Sequence, residues 1–145
     1  MAIATDKSSV YAPISTVSRE KGWADLDLSL KKHPIQKDII PLKDDNAIKN
    51  AVKNLVLTNF YERPFQLSKG GNLRGFLFEP ADNIIALEMK EAIRDVLGYY
   101  ESRIIVRYIH IYDDTERNTW IVNIFFYIKN LNITTNVEVL LRRTR

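Results

Sequence analysis

The chain contains no cysteine, which removes a disulfide framework and any thiolate site, catalytic or metal-binding. Histidine is nearly as scarce. His33 and His110 are the only two, so a zinc site would have to lean on carboxylates, which argues against a metalloenzyme. No early apolar stretch has the make-up of a secretion signal, and no run of about 18 apolar residues could span a bilayer. Neither sign of charge dominates. Lys and Arg number 21 against 18 Asp and Glu, a net charge of +3. That is mild for a nucleic-acid binder, which usually concentrates its basic residues on one face. What remains is 145 residues, 46% apolar and 27% charged, the composition of a globular chain able to bury a core without staples. A soluble protein of a reducing cytoplasm, with no cofactor, is the expectation.

The pattern along the chain divides it into an arm, residues 1–22, and one domain, residues 23–145. The arm is polar, lacks a period and is expected to be extended or disordered. In residues 23–43 apolar and polar positions alternate, so Leu26, Leu28 and Leu30 would share a strand face. His33 and Pro34 interrupt them, which favours two short extended pieces. The period then changes. Ala47, Ile48, Ala51, Val52 and Leu55 follow Asp44 and Asp45 at helical spacing, predicting a helix over 45–58 with an acidic start. A loop with Gly70, Gly71 and Gly75 follows, containing an apolar turn at Phe76–Phe78. Pro80 and Asp82 open a second helix that buries Ile85, Met89, Ala92, Ile93 and Val96 and stops at Gly98. Strands are predicted over 103–112, 119–129 and 137–143, with turns at 113–118 and 130–136. In the middle strand Trp120, Val122, Ile124, Phe126 and Ile128 share one face. The fold class is α+β: two helices packed on one face of a mainly antiparallel sheet.

Two short segments stand out for chemistry. Glu62 and Arg63 leave the first helix beside Pro64 and Phe65. Glu101 and Arg103 leave the second and lead into a strand, their side chains on one side of the chain. Each is a candidate partner-binding knuckle on the surface. The plainer reading is a solvated ion pair worth ~0–1 kcal/mol, with Phe65 plugging the core under its loop. Glu101 with Asp113 or Asp114 is a conceivable glycosidase pair, yet strands do not obviously set them the ~5–9 Å apart that such chemistry needs. The Gly70–Gly75 loop lacks the Gly-Lys-Ser/Thr ending of a phosphate cradle and reads as a turn. His110 reads as a strand residue, not a ligand. Phe125, Tyr127 and Lys129 alone are thin support for base stacking. The last strand carries Val137, Val139 and Leu141 on one face and Glu138, Leu140 and Arg142 on the other. As a terminal strand it offers an edge to another chain, or its arginines guard that edge.

Taken together, Asp25-Leu-Asp-Leu-Ser-Leu, His33-Pro, Asp38-Ile-Ile-Pro-Leu, the Asp45–Asn59 helix, Glu62-Arg-Pro-Phe and Leu77-Phe-Glu resemble the baseplate wedge, or sheath-initiator, family of contractile-tailed bacteriophages. The resemblance runs over residues 23–128 and extends to type VI secretion baseplates and phage-tail-like particles. The family carries Glu-Pro-Arg between its second helix and the next strand. Here Glu101 and Arg103 match and Ser102 replaces the proline.

The resemblance implies a non-enzymatic structural protein of a virion tail baseplate, assembled in the host cytoplasm. Glu101 and Arg103, with Glu62 and Arg63, would bind the other wedge subunits. Val137, Val139 and Leu141 would lie in the strand that templates the tail-sheath protein, and tube or hub proteins are further partners. No nucleic acid, membrane or cofactor is implied. The rival from another class is a peptidoglycan-cleaving, lysozyme-like glycosidase of the tail with Glu101 as its acid. A nucleic-acid binder is a third reading.

Overall fold

A computed structural model describes residues 22–27, 30–35 and 37–143. The fold is α+β. The elements run β1 (Ala24–Leu26), β2 (Pro41–Lys43), α1 (Asp44–Leu57), α2 (Leu73–Phe76), α3 (Asn83–Tyr100), β3 (Ile104–Asp114), β4 (Thr119–Ile128) and β5 (Ile133–Arg142). The expected N-terminal arm lies outside the described residues, except for Gly22.

The main sheet is antiparallel in the order β3-β4-β5. Its strict alternation in β4 explains the layer. Trp120, Val122, Ile124, Phe126 and Ile128 are buried, while Ile121, Asn123, Phe125 and Tyr127 between them are only partly covered. Val137, Val139 and Leu141 of β5 join the same buried face. Helices α1 and α3 close that face, α3 over β3 and α1 over β5. Ile48, Val52 and Val56 from α1 and Met89, Ile93 and Leu97 from α3 meet the strands in one core. The other face of the sheet carries no helix among the described residues. Tyr108 stacks on Phe125 there with ring centroids 4.3 Å apart, and His110 sits edge-on to both rings.

Four local expectations fail in whole or in part, for physical reasons. Helix α3 does not stop at Gly98 but continues to Tyr100. Gly98 faces solvent, with open space where a side chain would begin, and a helical glycine there costs only about 1 kcal/mol. The apolar turn at 76–78 is present at Leu77 and Phe78, but Phe76 ends a short helix, α2, whose Leu73 is buried. Strand β5 begins at Ile133, so the Asn-rich turn shrinks to a few residues. Asn132, at φ 52°, reverses the chain and accepts the Tyr127 hydroxyl at 2.6 Å. Leu26 and Leu30 share no strand: β1 ends at Leu26 and Leu30 lies at φ 51°. Leu28, the third residue of that expected face, lies outside the described residues. The two extended pieces do pair, with Asp25 opposite Leu42.

Candidate functional site

The first knuckle is built by the exit of α1. Thr58 caps the helix, its N–H and hydroxyl both donating to Asn54 C=O, at 3.0 and 2.6 Å. The chain turns back so closely that Gly71 N–H reaches Thr58 C=O at 2.9 Å. A side chain at Gly70, φ 150°, would collide with that carbonyl, so glycine is required. Glu62 accepts from Asn59 N–H at 3.0 Å and from Asn59 Nδ2 at 2.7 Å. The Asn59 backbone bond, then its side-chain bond, holds the Glu62 carboxyl below the usual glutamate value. Glu62 therefore clasps its own turn. Phe65 contradicts its expected role: it is fully exposed, at φ 69°, with Tyr61 exposed beside it at φ 67°. A loop that holds two aromatic residues outward in the left-handed region stores backbone strain.

The second knuckle follows α3. Glu101 ends the helix through its N–H to Leu97 C=O at 3.0 Å. Its side chain, expected on the surface, is buried; Arg103 is the partly exposed partner, at 30%. The pair is bidentate. Arg103 Nε donates to Oε1 and Nη2 to Oε2, both at 2.6 Å. That hydrogen bonding lifts the Arg103 pKa further, against partial burial. The guanidinium also lies 5.7 Å from the Trp23 ring. Both Glu101 oxygens are thus engaged in fixing Arg103.

Ser102 is held from the end of β4. Lys129 Nζ donates to Ser102 C=O at 2.6 Å, and Lys129 N–H donates to Arg103 C=O at 3.1 Å. Ser102 is the second residue of a turn closed weakly by Ile104 N–H on Glu101 C=O at 3.5 Å, a position proline favours. Glu101, at φ −123° and ψ 80°, lies outside the helical region that a following proline disfavours. Ser102→Pro is therefore expected to stabilise the fold by ~0.4–1 kcal/mol through the unfolded state. A thermal melt of the two proteins checks this, and a lowered midpoint would contradict it.

The two knuckles meet. Tyr100 Oη donates to Ser68 C=O at 3.3 Å, and Lys69 Nζ lies 5.4 Å from the Tyr100 ring. Between them opens a cavity of about 510 Å³ whose charged lining is Asp25, Arg63, Lys69, Glu101 and Arg103. Three cations face two carboxylates, and one cation is spent on Glu101. Sequence reasoning singled out Arg63, Glu101 and Arg103 but missed Lys69, Tyr100 and Asp25. The contacts that bring these together are long-range, and no local pattern announces them. The glycosidase pair does not assemble. Glu101 precedes β3 while Asp113 and Asp114 end it. At ~3.3 Å per residue they stand on the order of 30 Å apart, well beyond catalytic separation. No group of three or more His, Asp or Glu side chains among the described residues is placed to hold a metal.

A second feature is the outer edge of β5, which pairs only with β4 among the described residues. Arg143 N–H donates to Asn118 C=O at 2.9 Å, and the register then runs from Thr119↔Arg142 to Ile128↔Ile133 without a break. Antiparallel pairs alternate. Leu141, Val139 and Val137 therefore spend both backbone groups on β4, and their side chains are in the core. The N–H and C=O groups open at the edge belong to Glu138, Leu140 and Arg142, whose side chains are exposed.

No family model matches the chain, and no curated protein does. Solved structures do match. A proposed tail lysozyme from Geobacter sulfurreducens shares the fold with a TM-score of 0.63 and 13% identity, over 68% of this chain and 89% of that one. A chain of the anti-feeding prophage (AFP) baseplate shares it with a TM-score of 0.59 and 14% identity, over 86% of this chain and 88% of that one. At these identities the likeness is one of fold.

Proposed function

We propose that this chain is a structural, non-enzymatic subunit of a contractile tail baseplate, in a virion assembled in the host cytoplasm. One face binds the other wedge subunits and the β5 edge templates the tail sheath. The observation that carries the reading is the meeting of the two knuckles. Residues far apart in sequence build one cavity lined by Arg63, Lys69 and Arg103, and a second cavity on the same loop is lined by exposed Tyr61 and Phe65. Exposed aromatics on the loop that carries one of the cavity's arginines have the make-up of a protein-binding hot spot. The fold likeness to a baseplate chain supports the same reading. Glu101 buttresses Arg103 from beneath, Arg63 and Arg103 make the contacts, and Glu62 sets the loop that presents Arg63. Tube or hub proteins are further partners.

The test is binding of the neighbouring wedge subunits by a Arg63→Glu, Phe65→Ala double variant. Both side chains are exposed or half-exposed, so the fold should hold. Affinity should fall by the ~2–4 kcal/mol of a lost hot spot. Unchanged affinity and normal baseplates would refute the assignment of this face. The likeness to a proposed tail lysozyme gives the glycosidase reading its one support. Against it, both Glu101 oxygens are engaged by Arg103, and Asp113 and Asp114 stand at the far end of β3. Release of reducing sugars from purified cell wall, abolished by Glu101→Gln, would replace our reading with that one.

A further inference from the structure

Strand β5 is complementary to itself. Along its exposed face run Glu138, Leu140 and Arg142, an acid and a base placed symmetrically about an apolar residue. If two β5 strands lie antiparallel with their Leu140 residues opposite, each Glu138 faces the partner's Arg142 and each Arg142 the partner's Glu138. The backbone parity agrees. These same three residues turn their N–H and C=O groups to the open edge, so 138 with 142 and 140 with 140 all become hydrogen-bonded pairs. No one-residue slip is needed, and any slip of register would break both the charge pairs and the apolar centre.

The rows across the sheet extend the match. Tyr112, Ile121 and Leu140 form an apolar row that ends at the edge; pairing continues it into the partner's Leu140, Ile121 and Tyr112. The neighbouring row, His110, Asn123 and Glu138, would run on into the partner's Arg142, Thr119 and Asp114. There is room for the second backbone. A cavity of about 260 Å³ lies beside the strand, between Leu140 to Arg142 and the apolar Leu57 and Leu77 of the helical layer. Guarding an edge against pairing calls for like charges or an inward-pointing one. An acid and a base set symmetrically about leucine do the opposite.

We propose that a second copy of this chain covers the β5 edge, joining the two main sheets into one continuous six-stranded sheet around a two-fold axis at Leu140. The isologous contact closes after two copies and leaves both β3 edges outside it. It occupies the same edge that the sheath reading assigns to the sheath, so the dimer is a held form that must open before that edge is used. The self-pairing rests on β5 alone and stands whether or not the baseplate role does.

The experiment is sedimentation equilibrium of the full chain, with circular dichroism to confirm folding of each variant. The wild type should dimerise. Glu138→Arg sets like charges opposite each other at both symmetric positions and should weaken the dimer by roughly 10-fold. The swap Glu138→Arg with Arg142→Glu should restore it. Because the chain has no cysteine, Leu140→Cys adds a geometric check, since mild oxidation should join two copies through that one position. A wild type that stays monomeric up to about 1 mM overturns the proposal. So does a dimer indifferent to Glu138→Arg, a swap that fails to restore pairing, or a Leu140→Cys protein that never cross-links.

Discussion

Deleting residues 136–145 is expected to abolish the cooperative fold, not merely to trim an accessory strand. The deletion takes Val137, Val139 and Leu141 out of the core, each worth ~1.5–3 kcal/mol of burial. It also strips the covering strand from Trp120, Val122 and Ile124, which lie opposite them in the register. The Arg143 guanidinium goes too, with its 3.0 Å bond to Asp113 and its stacking 4.8 Å from the Trp120 ring. Against a domain stability of ~5–15 kcal/mol, that sum leaves little or nothing. Circular dichroism should show no sigmoidal melt. A truncated chain that melts cooperatively near the full-length midpoint would mean that β5 is not part of the core. Truncation is consequently no test of what the edge of β5 binds, because loss of sheath assembly would follow from unfolding alone.

The same contrast explains which parts of the fold were legible in the sequence. Strand β4 could be read from its side chains because both faces obey one period: Trp120 to Ile128 alternate without interruption, and burial follows. Helix α1 was legible because Ala47, Ile48, Val52 and Leu55 stripe one face. The partition of β5 into a core face and an open face followed from the same alternation. What escaped was governed by position, not by pattern. Gly98 carries the signal of a helix stop, yet α3 runs past it, since the residues that decide are Leu97 and Val96, buried against the sheet. Phe65 carries the signal of a core residue. Its loop, tied by Tyr61 N–H to Leu67 C=O at 2.7 Å, points it outward.

The candidate site was half legible for a similar reason. Glu101 and Arg103, two residues apart, could be paired from the sequence. That Glu101 would be the buried member could not, because its burial depends on where α3 lands on β3. The joining of the knuckles depends on Tyr100 and Ser68, 32 positions apart. Adjacent residues advertise periodicity; contacts of that span arise only once the helices have docked. Likewise, which backbone groups of β5 stay open is a matter of ladder parity. It is set by the bond between Arg143 and Asn118 and is silent in any one-strand reading.

That parity yields the variant that separates folding from assembly. Leu140→Pro removes one N–H, and it is an N–H that points away from β4. No bond of the β4–β5 ladder is lost, and the side chain removed is exposed. Proline is tolerated on an edge strand when its missing donor faces outward. The variant should therefore melt cooperatively and still bind the wedge subunits through Arg63 and Arg103. At the edge the effect should be large. An incoming sheath strand would meet a missing donor and a proline ring at the centre of the three open residues, which blocks backbone pairing. The expected result in electron micrographs is complete baseplates carrying bare tubes without sheath. As a control, Val139→Pro should cost the fold itself, because the Val139 N–H belongs to the ladder with Val122. Normal sheaths on Leu140→Pro baseplates would overturn the templating role of β5. Absence of baseplates with the protein still folded would move the edge from the sheath to the wedge, because the variant leaves the knuckle face untouched.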